Sequence, residues 1–263
     1  GVDYFGKKNF DNPRLEIEIF LQHILNCEKI DLYIDFEKEF LPSDLKKLKK
    51  LINRRLKKEP IQYIIGKTSF YGRDFNVDKN VLIPRPETEI IINVSIDFLS
   101  TKKNPNIIDI GTGSGCIGIT LAKEFPLAQV TAIDYSESIL NVARENARSL
   151  GVKNIEFVKL DFLKDNFNYL ADLIVSNPPY IPNKEMSSLM IDVKEYEPHV
   201  ALTDKMDGLE FYRLFSVKLN DIINDKGALI VEVGNGSHPS KVKKLFMEFG
   251  HDKIEMIKDY NKD

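Results

Sequence analysis

One stretch of this sequence restricts the possible folds more than any other. Residues 107–110 read Ile-Ile-Asp-Ile, and residues 111–118 continue as Gly-Thr-Gly-Ser-Gly-Cys-Ile-Gly. The pattern is typical of a buried strand that enters a glycine turn and then a helix. Glycine tolerates positive φ, and the N-terminus of the following helix presents unpaired N–H groups to an anionic ligand. The stretch therefore predicts an α/β domain with a ligand-binding edge.

The rest of the chain after residue 86 fits the same fold class. Short apolar runs alternate with helical patterns, as in a parallel sheet covered by helices. The runs predict strands at 107–110, 130–133, 155–158, 173–175, 229–233 and 254–257. The patterns between them predict helices near 116–124, 138–149, 209–223 and 240–249.

The first part of the chain has a different pattern. Between Asn9 and Lys58 apolar residues recur at helical spacing, with Ser43 as the expected N-cap of a second helix and Pro60 as its stop. Loose alternation over residues 69–83 predicts a β-hairpin. We therefore divide the chain into a helical domain at 1–66, a hairpin linker at 67–86 and an α/β domain at 87–263.

Composition excludes several classes of protein. Of 263 residues 43% are hydrophobic, so the chain buries a core without help from disulfides. Its two cysteines, Cys27 and Cys116, form no CxxC pair, and its four histidines are scattered, so we expect no metal site. No apolar run is long enough to cross a bilayer. These features indicate a reduced, cytoplasmic protein without a membrane partner.

Cations crowd into one segment although the net charge is −3. Eight lysines and arginines lie between Lys46 and Lys58. They form either the solvated face of an amphipathic helix or a docking surface for an acidic protein. The overall charge gives no general basic field for duplex nucleic acid.

The glycine stretch alone leaves its ligand open. Residues 113–118 satisfy the dinucleotide pattern GxGxxG, and Asp134 ends the next predicted strand, where a carboxylate accepts ribose hydroxyls. NAD and S-adenosylmethionine both present such a ribose. A tight turn with a helix cap and no ligand is the third interpretation.

A second motif, Asn177-Pro178-Pro179-Tyr180, indicates the chemistry. Two prolines remove two backbone donors and fix two φ angles, so the segment is rigid. The Asn177 oxygen and a proline carbonyl form a pair of acceptors for both protons of one –NH₂ group, and Tyr180 is suited to stack on a flat group. Hydride transfer does not need such a pair, whereas methyl transfer to nitrogen does. The alternative is a turn that merely ends a strand.

Further motifs carry a family resemblance that runs from the N-terminus to about residue 250. These motifs are Arg54-Arg55, residues 59–66 (Glu-Pro-Ile-Gln-Tyr-Ile-Ile-Gly), Phe70-Tyr71-Gly72 and residues 81–89 (Val-Leu-Ile-Pro-Arg-Pro-Glu-Thr-Glu). With these motifs and with residues 107–118 and 177–180, the chain closely resembles the HemK/PrmC family of peptide release factor glutamine methyltransferases. The resemblance implies a class I S-adenosylmethionine-dependent methyltransferase domain, Rossmann-like with a mostly parallel sheet. It also implies a small all-helical N-terminal domain joined to it by a β-hairpin.

The resemblance implies two sets of site residues. S-adenosylmethionine, which leaves as S-adenosylhomocysteine, would be held by Asp109, Gly111, Thr112, Gly113, Ser114, Gly115, Asp134, Asp161, Phe162 and Asn177. Asp161 and Phe162 would hold adenine, or they would instead serve as a helix cap and a core residue. The substrate would be held by Asn177, Pro178, Pro179, Tyr180, Arg85 and Glu197, with Asn177, Pro178 and Tyr180 catalytic. Arg85 alternatively forms a structural salt bridge between the domains.

The implied reaction is methylation of the glutamine side-chain amide in the Gly-Gly-Gln motif of class I bacterial release factors. The expected partner is then a release factor and not nucleic acid, and the protein is expected to be a monomer. One alternative is an adenine amino-group methyltransferase acting on DNA or RNA, which shares the Asn-Pro-Pro-Tyr motif. Another is a non-catalytic adaptor of translation components that senses the cofactor.

The resemblance also gives an expectation for the C-terminus. Family members continue past a segment like 259–262 into a last strand, whereas this chain stops at Asp263. We therefore expect the last strand to be missing and the run at 254–257 to be poorly paired.

Overall fold

The computed structural model describes Gly6 and residues 12–34 and 39–258. The helices are α1 Pro13–Leu25, α2 Asp31–Ile34, α3 Pro42–Leu56, α4 Ile61–Ile65, α5 Glu89–Leu99, α6 Cys116–Glu124, α7 Glu137–Ser149, α8 Ile191–Tyr196, α9 His199–Leu202, α10 Glu210–Ile222 and α11 His238–Glu248. The strands are β1 Lys67–Phe70, β2 Arg73–Asn76, β3 Asn106–Ile110, β4 Gln129–Asp134, β5 Ile155–Lys159, β6 Ala171–Ser176 and β7 Ile223–Val231. Short 3-10 turns occupy Pro86–Thr88 and Asn183–Ser188. The expectations for Asn9 and for a strand after residue 258 lie outside the described residues.

The chain forms two compact units. The first comprises Gly1–Lys67 together with Ile191–Tyr196, and the second comprises Thr68–Met190 together with Glu197–Asp263. From Thr68 onward the hairpin β1–β2 therefore belongs to the second unit.

The first unit is built from amphipathic helices. Its buried core includes Ile17, Phe20, Leu51 and Ile64, which come from α1, α3 and α4. The expected N-cap Ser43 is wrong: the N-cap is Leu41, two residues earlier, and α3 starts at Pro42, so Ser43 lies inside its first turn. Proline suits the first turn because its fixed φ is helical and its missing N–H has no helical partner there.

The second unit contains a five-stranded parallel sheet in the order β5-β4-β3-β6-β7. Ile107 on the central strand β3 lies opposite Val130 on β4 and Leu173 on β6. This confirms the predicted α/β class with a parallel sheet and flanking helices.

The predicted strand at 254–257 is wrong, since residues 251–258 have no strand structure. Ile254 instead packs against the apolar cluster beside β7. The run is apolar because it contributes to this packing, and it does not form the hydrogen bonds of a strand. Strand β7 also begins at Ile223, six residues before the predicted start.

Alternate residues of the strands face two separate apolar layers. Ile107 belongs to one layer and Ile108 to the other, as the two-residue period of a strand requires. Phe70 and Phe75 of the hairpin lie in the first layer with their rings edge to face. The hairpin thus shares a core with the sheet.

The described residues include neither a membrane-spanning helix nor a group of metal ligands. None of the helices in 12–34 and 39–258 combines the length and apolar character that a membrane span requires. In the same ranges no three His, Cys, Asp or Glu side chains are grouped so as to hold a metal ion.

Candidate active site

The glycine loop joins β3 to α6 at the carboxyl edge of the sheet. Gly111, Gly113 and Gly115 have φ values of +74°, +56° and +83°, which side chains disfavour. The backbone N–H groups of Gly111 and Thr112 both donate to the carbonyl of Ile133 at the end of β4, at 2.9 and 3.0 Å. The loop is therefore held in one conformation by backbone geometry.

Asp109 organises this loop from beneath. Its side chain is fully buried, and Oδ2 accepts hydrogen bonds from Thr112 Oγ1 at 2.6 Å and from the Gly118 N–H at 2.9 Å. Oδ1 is buried and has no hydrogen-bond partner among the described residues. Burial raises the pKa of Asp109 to about 6.

Asp134 lies at the end of the adjacent strand β4. Oδ2 accepts from the Gly113 N–H at 3.1 Å, so the carboxylate is tied to the middle of the glycine loop. Its side chain is 7% exposed, and burial raises its pKa to about 6. The sheet order thus brings the two predicted acids to neighbouring strand ends.

These residues fit an adenosyl ligand with an ammonium group. Asp109 has an unsatisfied carboxylate oxygen, and Asp134 is an acceptor at the strand end where ligands of open sheets bind. A Cβ added to Gly111 would meet no atom within 4 Å, so there is open space beside the exposed start of the loop. Thr112 and Ser114, which belong to the same loop, are buried.

Asp161 and Phe162 follow β5 at the same edge. Asp161 accepts from the Leu163 N–H at 3.1 Å and forms an ion pair with Lys164 at 2.6 Å, which is the behaviour of a turn cap. Phe162 is 4% exposed and packs against Phe167 and Phe215 with ring centroids 5.3 and 4.8 Å apart. Their contact with adenine stays a prediction.

The Asn-Pro-Pro-Tyr motif begins where β6 ends. Ser176 just before it is fully buried and donates from Oγ to the carbonyl of Ile110 at 2.6 Å. Because Ile110 directly precedes the glycine loop, this bond joins the two motifs. Pro178 is buried, whereas Asn177 and Tyr180 are partly exposed.

The Asn177 side chain is held by a chain of hydrogen bonds. Nδ2 donates to Thr88 Oγ1 at 3.1 Å, and the Thr88 hydroxyl donates to Glu232 Oε2 at 2.6 Å. Asn177 Oδ1 takes no hydrogen bond from the described residues. The amide therefore has its donor end committed and its acceptor end available.

Glu232 also holds Tyr180. Tyr180 Oη donates to Glu232 Oε1 at 3.2 Å, and Tyr212 Oη donates to the Glu232 carbonyl at 2.6 Å. Burial raises the pKa of the Glu232 carboxyl, and burial together with the charge of Glu232 raises that of the Tyr180 phenol. Tyr180 is thus neutral at ordinary pH.

The loop after the motif is closely packed against Tyr180. A Cβ added to Gly208, whose φ is +80°, would lie 2.1 Å from the carbonyl oxygen of Tyr180. His238 bridges this region because Nδ1 accepts from the Gly234 N–H at 3.1 Å and Nε2 lies 3.0 Å from the Gly208 carbonyl.

Arg85 and Glu197 form an ion pair within the second unit, with Nη2 and Oε1 2.6 Å apart. Glu197 is 4% exposed and Arg85 is partly exposed. The structure therefore brings the two together in a salt bridge, but the bridge lies within the second unit and is not the contact between domains that we expected for Arg85. Substrate binding by either residue stays a prediction.

Sequence reasoning missed three residues that support the site: Thr88, Glu232 and Asn146. Asn146 is fully buried on α7, accepts from the Asn76 N–H at 2.7 Å and donates to the Ser114 carbonyl at 2.8 Å. It thereby connects the hairpin to the glycine loop. A polar residue in the apolar stripe of a helix was the available signal for Asn146, and a lone Glu in an apolar strand was the signal for Glu232.

Comparison with known proteins agrees with this arrangement. A profile of the PrmC N-terminal domain matches residues 1–66, and a methyltransferase domain profile matches residues 101–247. The release factor glutamine methyltransferase of Chlorobaculum tepidum is 39% identical, over 99% of this chain and 91% of the relative. The chain belongs to the release factor glutamine methyltransferase family.

A second relative of this family also matches nearly the whole chain. The release factor glutamine methyltransferase of Fusobacterium nucleatum is 37% identical over 98% of this chain and 73% of its own length. Among solved structures, a SAM-dependent methyltransferase from Agrobacterium tumefaciens has a TM-score of 0.49 at 16% identity, covering 70% of this chain and 57% of that one. The predicted resemblance to the release factor glutamine methyltransferase family is confirmed.

Proposed function

We propose that the chain methylates the side-chain amide nitrogen of the glutamine in the Gly-Gly-Gln motif of class I bacterial release factors. The observation that carries the proposal is the orientation of Asn177. Its Nδ2 is bound to Thr88, so Oδ1 is the atom left to receive a substrate N–H. Relatives that match nearly the whole chain carry the name release factor glutamine methyltransferase, which supports this substrate.

Asn177 and the proline that follows it form the acceptor pair. Pro178 and Pro179 have no N–H, so no backbone donor of theirs competes for the substrate amide. Accepting both N–H groups from Asn177 Oδ1 and the Pro178 carbonyl fixes the plane of the amide. The nitrogen lone pair then develops perpendicular to that plane, which is the direction of in-line attack.

S-adenosylmethionine supplies an electrophilic methyl group when it is bound. We propose that the glycine loop 111–115 holds it with Asp109 and Asp134, and that Asp161 and Phe162 contact its adenine. Asp109 holds the loop in its conformation because it accepts hydrogen bonds from Thr112 in the loop and from Gly118 in the helix that follows. Asp134 presents an acceptor beside Gly113.

No side chain is needed as a general base. The amide nitrogen is neutral and becomes positive only as the methyl group arrives, so proton loss to water follows transfer. Tyr180 is unsuited to the role because its raised pKa keeps it protonated. Its ring instead bounds one side of the pocket, and the bond from Oη to Glu232 holds the ring in place.

We further propose that a lysine face on α3 binds the release factor. Lys46, Lys49 and Lys50 of α3 and Lys57, its C-cap, are exposed and line one open groove. The groove is also lined by Ser43, Lys47, Asn53 and Arg54. Arg54 and Arg55 are committed to ion pairs with Glu59 and Glu16 inside the first unit. The basic run thus separates into a structural pair and an exposed face suited to an acidic protein surface.

The test is methyl transfer from labelled S-adenosylmethionine to three acceptors. These are a class I release factor, the same factor with the Gly-Gly-Gln glutamine replaced, and adenine-containing oligonucleotides. We expect label on the first acceptor alone. Label on the substituted factor would contradict the assigned position, and label only on nucleic acid would favour the adenine methyltransferase.

A further inference from the structure

The buried chain from Glu232 through Thr88 to Asn177 has a fixed direction of hydrogen bonding. A threonine hydroxyl has one proton to donate and otherwise accepts. In the structure the Thr88 hydroxyl donates its hydrogen bond to Glu232 Oε2. The distance of 2.6 Å between Thr88 Oγ1 and Glu232 Oε2 is that of a charge-assisted hydrogen bond. Thr88 Oγ1 therefore accepts a hydrogen bond from Asn177 Nδ2.

This direction determines which end of the Asn177 amide is available. If the Thr88 proton pointed to Asn177, the amide would turn over and present Nδ2 where Oδ1 now lies. An NH₂ group in that position repels the N–H groups of a substrate amide. The carboxylate of Glu232 prevents this because its oxygens act only as acceptors, Oε2 for Thr88 and Oε1 for Tyr180, and because the Asn177 side chain itself also donates to it.

We infer that Glu232 and Thr88 are positioning residues that impose the acceptor orientation of Asn177 and so select an N–H donor substrate. Neither residue touches the substrate in this account, and both act through Asn177 or Tyr180. The inference rests on the proposed amide methylation. It adds a source of substrate specificity, a hydrogen-bonded pair formed by Thr88 and Glu232, which are 144 residues apart in the sequence.

The test compares Thr88→Val with Thr88→Ser in the full chain. Thr88 is 1% exposed, and valine keeps its shape while removing the hydroxyl. We expect Thr88→Val to lower kcat about 10- to 100-fold, the usual effect of removing an outer-shell partner, with Thr88→Ser restoring most of the loss. Equilibrium binding of S-adenosylhomocysteine, measured by calorimetry, is expected to change less than about 2-fold.

Thr120→Val is the matched control. Thr120 is fully buried on α6, and its Oγ1 has no hydrogen-bond partner among the described residues, so removing that hydroxyl breaks no chain. Its kcat is expected to equal that of the unaltered protein. Glu232→Gln provides a second test, because glutamine has only one acceptor oxygen for the two hydroxyls, and we expect a similar loss of kcat with unchanged cofactor binding.

The outcomes separate this inference from the proposed function. If the unaltered protein does not label the release factor glutamine, the proposed function is wrong. If it does and Thr88→Val or Glu232→Gln keeps its kcat, the orientation account is wrong. Equal losses in Thr88→Val and Thr88→Ser, or loss of cofactor binding along with kcat, would assign these residues a merely structural role and overturn the inference.

Discussion

At the level of single residues, the site is a set of polar groups fixed by buried partners. The predicted residues Asp109, Asp134 and Asn177 lie at neighbouring strand ends, as expected for an open parallel sheet. Sequence could indicate them because each directly follows or ends a strand. It could not place Thr88 and Glu232 beside Asn177, because the three side chains meet only through tertiary folding.

Asn177→Ala is expected to lower kcat by about 100- to 1000-fold, as does removal of one oriented hydrogen-bonding group in other enzymes. The reason is that Asn177 Oδ1 holds a substrate N–H during transfer, while the glycine loop holds the cofactor. Steady-state kinetics with separate titration of S-adenosylmethionine measures both effects. Asn183→Ala, an exposed asparagine a few residues later, is the control. Equal kcat in Asn177→Ala and its control would contradict the role.

The carboxyls beside the glycine loop predict a pH dependence of cofactor binding. Burial raises the pKa of Asp109 and of Asp134 to about 6, so both are ionised above that pH and become protonated below it. Protonation removes an acceptor for ribose hydroxyls or for an ammonium group. The Kd of S-adenosylhomocysteine should therefore rise by about tenfold per pH unit below pH 6 for each proton taken up. Calorimetry between pH 5 and 8 measures it.

Asp134→Asn is the variant that checks this assignment. It should bind more weakly at pH 8 and show a shallower dependence on pH, because one titrating group is gone. A pH dependence identical to that of the unaltered protein would mean that Asp134 does not contribute.

At the level of elements, sequence periodicity predicted most of the sheet. It failed where an apolar run packs against the core without pairing as a strand. Strands β3 to β6 were confirmed because continuous apolar runs are buried on both faces of a parallel sheet. The run at 254–257 has the same apolar character, but it packs through Ile254 without a ladder. The start of α3 was misplaced because Ser43 competes with Pro42, which is better placed at the first helical position.

Gly208→Ala tests the packing of the loop that closes on Tyr180. The added methyl carbon would lie 2.1 Å from the Tyr180 carbonyl oxygen, so the backbone after the Asn-Pro-Pro-Tyr motif must shift. We expect kcat to fall at least about tenfold, because small displacements of a positioned group are costly in catalysis.

Gly236→Ala is the matched control for this loop. Its φ of +66° is also positive, so alanine suffers the same backbone strain, but no atom lies within 4 Å of the added carbon. Gly236→Ala should lose about 1 kcal/mol of unfolding free energy from that strain, and Gly208→Ala should lose more because it adds the overlap with Tyr180; denaturant titration measures both losses. Equal kcat in the two variants would show that the Gly208 contact is not needed.

At the level of the whole molecule, the two units carry different tasks in the proposed function. The second unit contains the glycine loop and the Asn-Pro-Pro-Tyr motif, and the first unit contains the lysine face on α3. Sequence predicted a basic segment but not which cations are free for a partner. That distinction depends on the ion pairs of Arg54 and Arg55, which only the folded structure shows.

Replacing Lys46, Lys49, Lys50 and Lys57 with glutamate is expected to raise KM for the release factor about tenfold or more at low salt, with kcat preserved. Charge attraction steers association and is screened by salt, so the difference should shrink as ionic strength rises. The control reverses Lys241, Lys243, Lys244 and Lys253, which are exposed in the second unit. An unchanged KM at low salt in the α3 variant would contradict docking at this face.

The proposed acceptor of the methyl group is a glutamine side-chain amide of a release factor. Tandem mass spectrometry of a class I release factor, incubated with this protein and S-adenosylmethionine, measures the position of the modification directly. We expect a single added methyl group on the glutamine of the Gly-Gly-Gln motif, absent when Asn177 is replaced by alanine. A methyl group at any other residue, or none under conditions where the protein binds S-adenosylmethionine, would contradict it.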